Sequence, residues 1–424
     1  MKRILILCDN FPPQSGPRMG YLCKYLRRLG WSACVVAAEN KSRNDLTGLS
    51  GYAEEVHVIP QRPHRKWNLL HVLPFFWPYD YLRNEYELRR VAMAVAARKR
   101  IDLVLCSHTY GWFPLGAAQF VARKNRVPLV VDIRDVLEQN PVTTFWQKSF
   151  PQKMDWLRWH MSFMSRRRAG RWHGRAACLT TISPWHAQWL RRWNPNTRCI
   201  YNGFDPELFR PVAPCPNARF EILYTGTLAT KRMRDPDLLL KAVRKLADRR
   251  EIDPASFRVV FYGEPTGSHV KASADELGVS AFLEYHDYVP LSEIPALYAK
   301  ASCLLLLAAP SAQGGSHGVM TTKFFEYLAS GRPLLCVPSD QECLAASIRE
   351  TRAGCAAQTV DEAEAYILRL YREWRARGTT HGTTDQGKLG LFSREEQASQ
   401  FAAVFERAVR EFSDARTRAN RSGA

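Results

Sequence analysis

One segment in the second half of the chain carries residue types that could bind a phosphate ester and a sugar. A Gly/Ser stretch at 313–318 is followed by Thr321, Thr322 and Lys323 and, one turn further, by Glu326. A glycine-rich loop that leads into a helix offers backbone N–H groups and the positive end of the helix dipole to an anion. Glu326 can accept hydrogen bonds from sugar hydroxyls, and its spacing from the two threonines does not fit a capping box.

A cluster of cations predicts a second contact with phosphate. Lys231, Arg232 and Arg234 follow a predicted strand that ends near Gly226, and Asp235-Pro236 reads as the N-cap and first residue of a helix. The helix dipole already favours an anion at this end, so three cations there indicate a bound phosphate or diphosphate. A solvated run of charge is the alternative.

Polar residues at the ends of two strands in the first half form a third candidate. Asp132, Arg134 and Asp135 close one apolar strand, and His108 closes the preceding one. An unpaired charge at that position is costly, which favours a ligand-facing role. A plain ion pair, and a satisfied surface histidine at 108, are the alternatives.

The junction after the first predicted strand contains Gly16 and Gly20, without the GxGxxG fingerprint of dinucleotide-binding proteins. Glycines at the carboxyl end of the first strand allow a ligand to approach the backbone closely. A structural turn would use the same glycines, so both interpretations stay open.

Short β-branched runs alternate with amphipathic segments, which is typical of βαβ units and parallel sheets. The pattern predicts an α/β chain with two Rossmann-like domains of similar size. Predicted strands cover 3–8, 33–38, 56–60, 102–107, 128–133, 177–182, 198–201, 221–225, 258–262, 282–286, 303–307 and 333–337.

A proline-rich stretch without a strand pattern divides the chain. The predicted domains are 1–205 and 220–390, joined by a linker at 206–219. The remaining segment, 391–424, is predicted to form a final helix, because Ser393 and Glu396 have the spacing of a capping box.

Composition narrows the class of protein. The chain has 424 residues, 46 % of them hydrophobic, and a formal net charge of +19. Such hydrophobicity excludes a mainly disordered chain, and the charge favours phosphate-bearing ligands, nucleic acid or an anionic membrane. The eleven cysteines are scattered singly, without the spacing of a zinc site, and are expected to be buried thiols in a reducing compartment.

Two stretches mix cations with aromatic residues, at 62–90 and 156–175. Such a mixture is typical of a helix on an anionic membrane, with an ordinary amphipathic helix as the alternative. Nucleic acid is not expected, since no binding module accompanies the charge. The basic start, Met1–Cys8, lacks a signal-peptide cleavage site, and no run reaches the ~20 apolar residues of a membrane span. A cytoplasmic, peripheral protein on the inner face of the membrane is expected.

Taken together, these motifs resemble GT-B-fold glycosyltransferases, and more closely those of family 4, which are retaining and use nucleotide sugars. The segment ending in Glu326 is the most specific. The motifs that carry the resemblance are Phe11-Pro12-Pro13, Asp132-Ile133-Arg134-Asp135, Tyr201-Asn202-Gly203-Phe204-Asp205, Tyr224-Thr225-Gly226-Thr227, Arg234-Asp235-Pro236 and Lys323-Phe324-Phe325-Glu326-Tyr327-Leu328-Ala329-Ser330-Gly331-Arg332-Pro333.

The resemblance implies two Rossmann-like domains that face each other across a cleft, with the C-terminal helix crossing back to the first domain. The first domain would bind the acceptor, and the second the nucleotide sugar. Gly16 would let the first domain close over the phosphates. The catalytic candidates are Arg134, Asp135, Lys231 and Arg234, the donor-binding candidates are Gly16, Gly226, Gly318, Thr321, Thr322, Lys323 and Glu326, and the possible acceptor-side residues are His108 and Asp132.

In retaining transfer of this kind the acceptor hydroxyl attacks on the face from which the diphosphate leaves. The protein must then stabilise the leaving phosphate, a task for Lys231, Arg234, Lys323 and a helix N-terminus. No metal or other cofactor is expected, and Asp235-Pro236-Asp237 is more simply a helix start. Family members often carry a glutamate eight positions before Glu326, where this chain has Gly318. Backbone N–H groups at 317–320 are the candidates to replace it.

The expected function is transfer of a sugar to a lipid-linked or polysaccharide acceptor in cell-surface glycan synthesis. Another GT-B enzyme, such as a nucleotide-sugar epimerase, is one alternative. A non-catalytic basic protein that binds lipid or nucleic acid is the other.

Overall fold

The computed structural model describes residues 1–13, 16–39, 47–60, 79–109, 113–136, 170–211, 213, 215–228, 230, 231, 233–263, 268–308 and 316–422. These residues form two α/β units, each built on a parallel sheet. Residues up to 201, together with 394–422, form the first unit. Residues 202–393 form the second.

The first unit has a seven-stranded sheet in the order β3-β2-β1-β4-β5-β6-β7. Its strands are β1 (Lys2–Cys8), β2 (Trp31–Ala38), β3 (Glu55–Ile59), β4 (Leu103–His108), β5 (Leu129–Ile133), β6 (Cys178–Thr181) and β7 (Thr197–Cys199), and its helices are α1 (Pro17–Leu26), α2 (Thr47–Ser50), α3 (Tyr79–Arg98), α4 (Leu115–Asn125), α5 (Pro184–Leu190) and the final helix α13 (Arg394–Ser422).

The second unit has a six-stranded sheet in the order β10-β9-β8-β11-β12-β13. Its strands are β8 (Phe220–Thr225), β9 (Phe257–Tyr262), β10 (Leu283–His286), β11 (Cys303–Leu307), β12 (Leu334–Val337) and β13 (Gly354–Ala356), and its helices are α6 (Asp237–Asp248), α7 (Ser268–Glu276), α8 (Ile294–Lys300), α9 (Thr322–Ser330), α10 (Cys343–Glu350), α11 (Val360–Arg377) and α12 (Gln386–Leu389).

Helices cover both faces of the first sheet, which explains why strands β2, β4 and β5 are buried along their whole length. All eight residues of β2 are buried, and successive side chains point to opposite faces. Val35 belongs to the apolar cluster on one face and Val36 to the cluster on the other. Continuous burial of this kind is typical of parallel sheets.

The final helix packs on the first domain. Phe401 and Phe405 are fully buried in the cluster that includes Leu22 of α1, and the Phe405 ring meets Trp31 edge-on at 5.5 Å. Helix α13 begins at Arg394, directly after the predicted start at Ser393.

The twelve strands predicted from sequence are confirmed, with bounds within two residues. The thirteenth, β13, was missed because its three residues, Gly-Cys-Ala, include no β-branched or aromatic side chain. The segment predicted as a linker, 206–219, lies in the second unit. Phe209 accounts for this, since it is buried and stacks on Tyr298 with ring centroids 6.0 Å apart.

The prediction for the start of α6 was wrong by one residue. The helix begins at Asp237, with Pro236 rather than Asp235 at the N-cap. Asp235 still contributes, because its Oδ1 accepts a 3.0 Å hydrogen bond from the Asp237 N–H. That N–H has no partner within the helix, and the side chain two residues earlier satisfies it.

All eleven cysteines lie in the described part of the chain and are free thiols. Seven are buried as predicted, whereas Cys199, Cys343 and Cys355 are partly exposed and Cys215 is exposed. Among the described helices, none is long and apolar enough to cross a membrane. Several predicted features lie outside the described residues. They are most of the two basic, aromatic stretches, Arg232, and residues 313–315 of the Gly/Ser stretch.

Candidate active site

The second domain brings Lys323 and Gly226 together at the carboxyl end of its sheet. Gly226 follows β8 with φ 107°, and a β-carbon there would lie 2.8 Å from Cε of Lys323. The Lys323 ammonium is 4.9 Å from the centre of the Tyr224 ring and 3.5 Å from its hydroxyl. Lys323 stands in the first turn of α9, where the helix dipole also favours an anion. The two sources of positive potential therefore coincide.

Glu326 lies one turn into α9 and is partly exposed. Its Oε2 accepts a 3.3 Å hydrogen bond from the Tyr298 hydroxyl, which lies 3.0 Å from the hydroxyl of Thr225. Burial, and the nearby Glu326 carboxylate, raise the pKa of Tyr298 well above its ordinary value. Tyr298 therefore stays a donor and fixes one oxygen of Glu326 at the end of β8.

Thr321 is the N-cap of α9 and Thr322 its first residue, and both are partly exposed. Thr321 has extended backbone angles, φ −65° and ψ 141°, which are those of an N-cap. The structure therefore places both hydroxyls at the helix N-terminus, beside Lys323, as the sequence predicted.

Gly318 is bound by a carboxylate that the sequence analysis did not identify. Glu342, the N-cap of α10, accepts a 2.8 Å hydrogen bond from the Gly318 N–H, and its other oxygen lies 2.5 Å from Nδ1 of His317. Gly318 has φ 64°, a conformation that favours glycine. The prediction that N–H groups at 317–320 contact the donor is therefore corrected at Gly318, whose N–H already has a carboxylate partner, and stays a prediction for the other three residues.

Lys231 and Arg234 lie in the loop between β8 and α6. The Lys231 ammonium is 2.7 Å from Asp237 Oδ2 and 3.4 Å from the Ser273 hydroxyl, and the bond to Asp237 raises the pKa of Lys231. Asp237 thus balances part of the positive charge at the start of α6. Arg234 is partly exposed and donates a 2.8 Å hydrogen bond to the Met233 carbonyl. Among the described residues, no three metal-ligating side chains form a group.

In the first domain, Gly16 is the N-cap of α1, with φ 76°. A β-carbon at this position would lie 2.5 Å from the Asn10 carbonyl oxygen, so no other residue fits. The turn therefore requires Gly16, and this requirement stands independently of any ligand.

Arg134 lies at the carboxyl end of β5 and pairs with Asp9, which follows β1. Asp9 also accepts hydrogen bonds from the N–H and the hydroxyl of Thr109, at 3.3 and 3.2 Å. Burial alone would lower the pKa of Arg134, but Asp9 and Asp132 outweigh it and raise the pKa above its ordinary value. Asp135 is partly exposed at the same edge. Arg134 is therefore a fixed cation at the sheet edge.

Asp132 is fully buried and binds Arg18 of α1 with two hydrogen bonds, of 2.9 and 3.0 Å. The Thr180 hydroxyl donates a third, of 2.7 Å. Burial alone would raise the pKa of Asp132, but Arg18 and Thr180 hold the pKa below its ordinary value. Asp132 therefore forms a buried ion pair with Arg18 and does not face an acceptor.

His108 is also buried, and its strand, β4, is the neighbour of β5 in the sheet. Its Nδ1 bonds the Thr109 carbonyl, and its Nε2 lies 3.4 Å from Nε2 of His173. The Thr109 carbonyl can only accept, so Nδ1 of His108 carries the proton and His173 donates to Nε2. Burial lowers the pKa of both imidazoles. His108 therefore acts as a neutral internal group.

Sequence reasoning missed four residues that hold these candidates in place: Asp9, Arg18, Tyr298 and Glu342. Asp9 had a local signal, as an acid directly after the first strand. Arg18 is 114 residues from Asp132, and Glu342 is 24 residues from Gly318. Contacts of that separation leave no periodicity for the sequence to show.

Two family models match consecutive parts of the chain. Residues 15–208 match the model described as Glycosyltransferase Family 4, and residues 219–373 match the model described as Glycosyl transferases group 1. The chain belongs to the GT-B glycosyltransferases of the family 4 type and is an enzyme that transfers a glycosyl group. No curated protein sequence matches it significantly.

Solved structures share the fold at low sequence identity. Sucrose-phosphate synthase from Thermosynechococcus elongatus is 13 % identical with a TM-score of 0.65, over 96 % of this chain and 99 % of that one. A glycosyltransferase from Rickettsia africae is 14 % identical with a TM-score of 0.57, over 96 % and 98 %. A lipopolysaccharide outer core galactosyltransferase is 11 % identical with a TM-score of 0.57, over 95 % and 98 %. At such identities the likeness shows the fold.

Proposed function

We propose that the enzyme takes its sugar from a nucleotide-sugar donor held by the second domain. The observation that carries this proposal is the position of Lys323, which lies across Gly226 at the N-terminus of α9. A diphosphate there meets an ammonium group, a helix N-terminus and a backbone without a side chain. Glu326, one turn along, is the acceptor for ribose hydroxyls, and Tyr298 fixes its orientation.

Further contacts are assigned by position within each domain. In the second domain, Thr321 and Thr322 bind phosphate oxygens, and Arg234 neutralises the diphosphate. Lys231 assists once it exchanges its bond to Asp237 for a phosphate oxygen. In the first domain, which binds the acceptor, Arg134 and Asp135 face the transferred sugar. Asp9 fixes the guanidinium of Arg134 for that task.

The proposed reaction proceeds with retention of the anomeric configuration. The acceptor oxygen forms a bond to the anomeric carbon, the bond from that carbon to the donor diphosphate breaks, and the acceptor proton passes to the departing phosphate. Lys323, Arg234 and the N-terminus of α9 stabilise the charge that develops on the phosphate. Because these groups belong to the chain, the proposal includes no metal ion or other cofactor.

The proposed acceptor is lipid-linked or a polysaccharide, in cell-surface glycan synthesis, with the enzyme peripheral on the inner face of the membrane. The net charge of +19 supports this placement, because anionic lipids attract basic proteins.

Transfer can be tested with a panel of nucleotide sugars and lipid-linked or glycan acceptors, with the anomeric configuration of the product read by NMR. We expect one donor to give product with the donor's configuration. Inverted product contradicts retention, and conversion of donor without acceptor favours an epimerase. The Glu326→Gln and Arg234→Gln variants are expected to lose most activity, while Glu350→Gln, an exposed carboxylate on α10, is the matched control. Unchanged activity in both site variants contradicts the assigned site.

A further inference from the structure

One side of the first domain, around α5, carries partly exposed tryptophans. Trp185 and Trp189 lie one turn apart on α5, with ring centroids 5.8 Å apart, and the Arg192 guanidinium covers the Trp189 ring at 3.9 Å. Trp193 stacks on His173 with centroids 5.3 Å apart. Trp172 lies on the helical turn at 170–173, where a β-carbon on Gly170 would be 3.1 Å from the Trp193 ring. The set Trp172, Trp185, Trp189 and Trp193 is called the tryptophan stripe.

The stripe is anchored in the core of the domain. All four indoles are partly buried and pack on the apolar cluster that contains Leu190 and Val131. Each indole is therefore held by the core while part of its side chain reaches solvent. Tryptophans that are partly buried and partly solvent-exposed are typical of protein surfaces at the headgroup level of a bilayer.

The surroundings of the stripe are strongly basic. Residues 156–204 contain no aspartate or glutamate, and neither do residues 103–131, which include the neighbouring helix α4. Gln119 of α4 bonds the Trp172 carbonyl at 2.9 Å, which places that helix beside the stripe. Eight exposed cations belong to these two segments: Arg123, Lys124, Arg126, Arg171, Arg175, Arg191, Arg192 and Arg198.

We propose that the tryptophan stripe and these cations form the surface by which the first domain binds an anionic lipid bilayer. The arginines contact lipid phosphates, and the outer edges of the indoles enter the headgroup region. This surface deepens the proposed peripheral placement and rests on it. It is built mainly from residues around α5 and α4, and it includes the described end of the basic stretch at 156–175, namely Arg171, Trp172 and Arg175.

The ring contacts favour a membrane over a nucleic acid. Binding of single strands relies on open aromatic faces on which bases stack. In the stripe the Trp185 and Trp189 faces are stacked on each other, and Arg192 covers Trp189. A tryptophan at the headgroup level of a bilayer does not require an open ring face.

The test is flotation of the full chain with vesicles of phosphatidylcholine, with or without phosphatidylglycerol, and no donor or acceptor. We expect binding only to the anionic vesicles, weakened by salt. The Arg175→Gln/Arg191→Gln variant, which leaves the contact between Arg192 and Trp189 intact, should bind roughly 30-fold more weakly, since each basic residue contributes about fivefold. The matched control is Arg349→Gln/Arg375→Gln, which neutralises two exposed arginines of the second domain. The Arg175→Lys/Arg191→Lys variant should restore binding.

Equal weakening by the control pair, or binding that survives loss of Arg175 and Arg191, overturns the assigned surface. Binding to DNA or RNA that these arginines control, without binding to vesicles, overturns the membrane as partner. The flotation experiment contains no donor or acceptor, so an absence of vesicle binding would overturn this surface without bearing on sugar transfer. A protein that binds vesicles but transfers no sugar would instead contradict the proposed function.

Discussion

Lys323 lies against the backbone of Gly226: a β-carbon at position 226 would be 2.8 Å from its Cε and 3.0 Å from its Nζ. The two residues are 97 positions apart, one after β8 and the other at the start of α9. Their contact brings together the segment after β8 and the start of α9, the two segments in which the sequence indicated phosphate binding. The donor site proposed for the second domain depends on it.

Substitution Gly226→Ala should weaken binding of nucleoside diphosphates and destabilise the domain. The φ of 107° strains any L-residue, by about 1–3 kcal/mol, and the new methyl group displaces Lys323. Thermal unfolding with and without diphosphate measures both effects. Gly390→Ala is the control, because that glycine has φ −55° and open space around it. Equal responses of the two variants contradict the proposed role of Gly226.

Removal of the Glu342 carboxylate should raise the KM for the donor more than it lowers kcat. Glu342 fixes the loop before α9 through Gly318 and His317. Loss of hydrogen bonds to a charged group weakens such an arrangement by about 1.5–3 kcal/mol. Steady-state kinetics of Glu342→Ala test this, with Glu342→Gln expected to recover part of the affinity. A change in kcat alone contradicts a positioning role.

Much of this architecture could be predicted from the sequence, because strands, helix caps and glycine turns leave local patterns. Strands β1 to β12, and the start of α13 at 394, follow from such patterns. The partners of the polar residues could not be predicted. Asp132 and His108 have the local context of ligand-facing residues, and only the tertiary contacts with Arg18 and His173 show that they are internal.

Breaking the ion pair between Arg18 and Asp132 should strongly destabilise the first domain. Loss of one partner leaves the other charge buried, which costs about 3–5 kcal/mol. Denaturant unfolding of Asp132→Asn, Arg18→Met and the double variant measures this coupling. We expect the double variant to be less unstable than the sum of the single effects. If the loss of stability in the double variant equals the sum of the two single losses, the coupling between Arg18 and Asp132 is contradicted.

Because Asp132 is paired with Arg18, the free energy of unfolding should depend on pH in the acidic range. The pKa of Asp132 is lower in the folded chain than in the unfolded one. The stabilisation is therefore complete above the unfolded pKa of about 4 and is lost as the pH falls towards the folded pKa. Unfolding free energies measured from pH 5 to pH 3 should fall less steeply in Asp132→Asn than in the natural chain. Identical slopes contradict this assignment.

The two buried histidines should destabilise the fold at mildly acidic pH. Burial lowers the pKa of both His108 and His173, so the unfolded chain binds more protons. Stability is therefore complete above about pH 6.5 and declines below it, by up to about 2.7 kcal/mol per pH unit for two groups. The His173→Phe variant keeps the stacking on Trp193 and should show a smaller slope. An unchanged slope contradicts the assignment.

The central claim is that the second domain binds a nucleotide-sugar donor at Lys323 and Glu326. The most direct measurement is the change in melting temperature of the full chain with each of a panel of nucleoside diphosphates and nucleotide sugars. We predict that at least one of them raises the melting temperature, and that Lys323→Met and Glu326→Gln each reduce the rise. A panel in which no compound changes the melting temperature, or a rise that both variants retain in full, would contradict the claim.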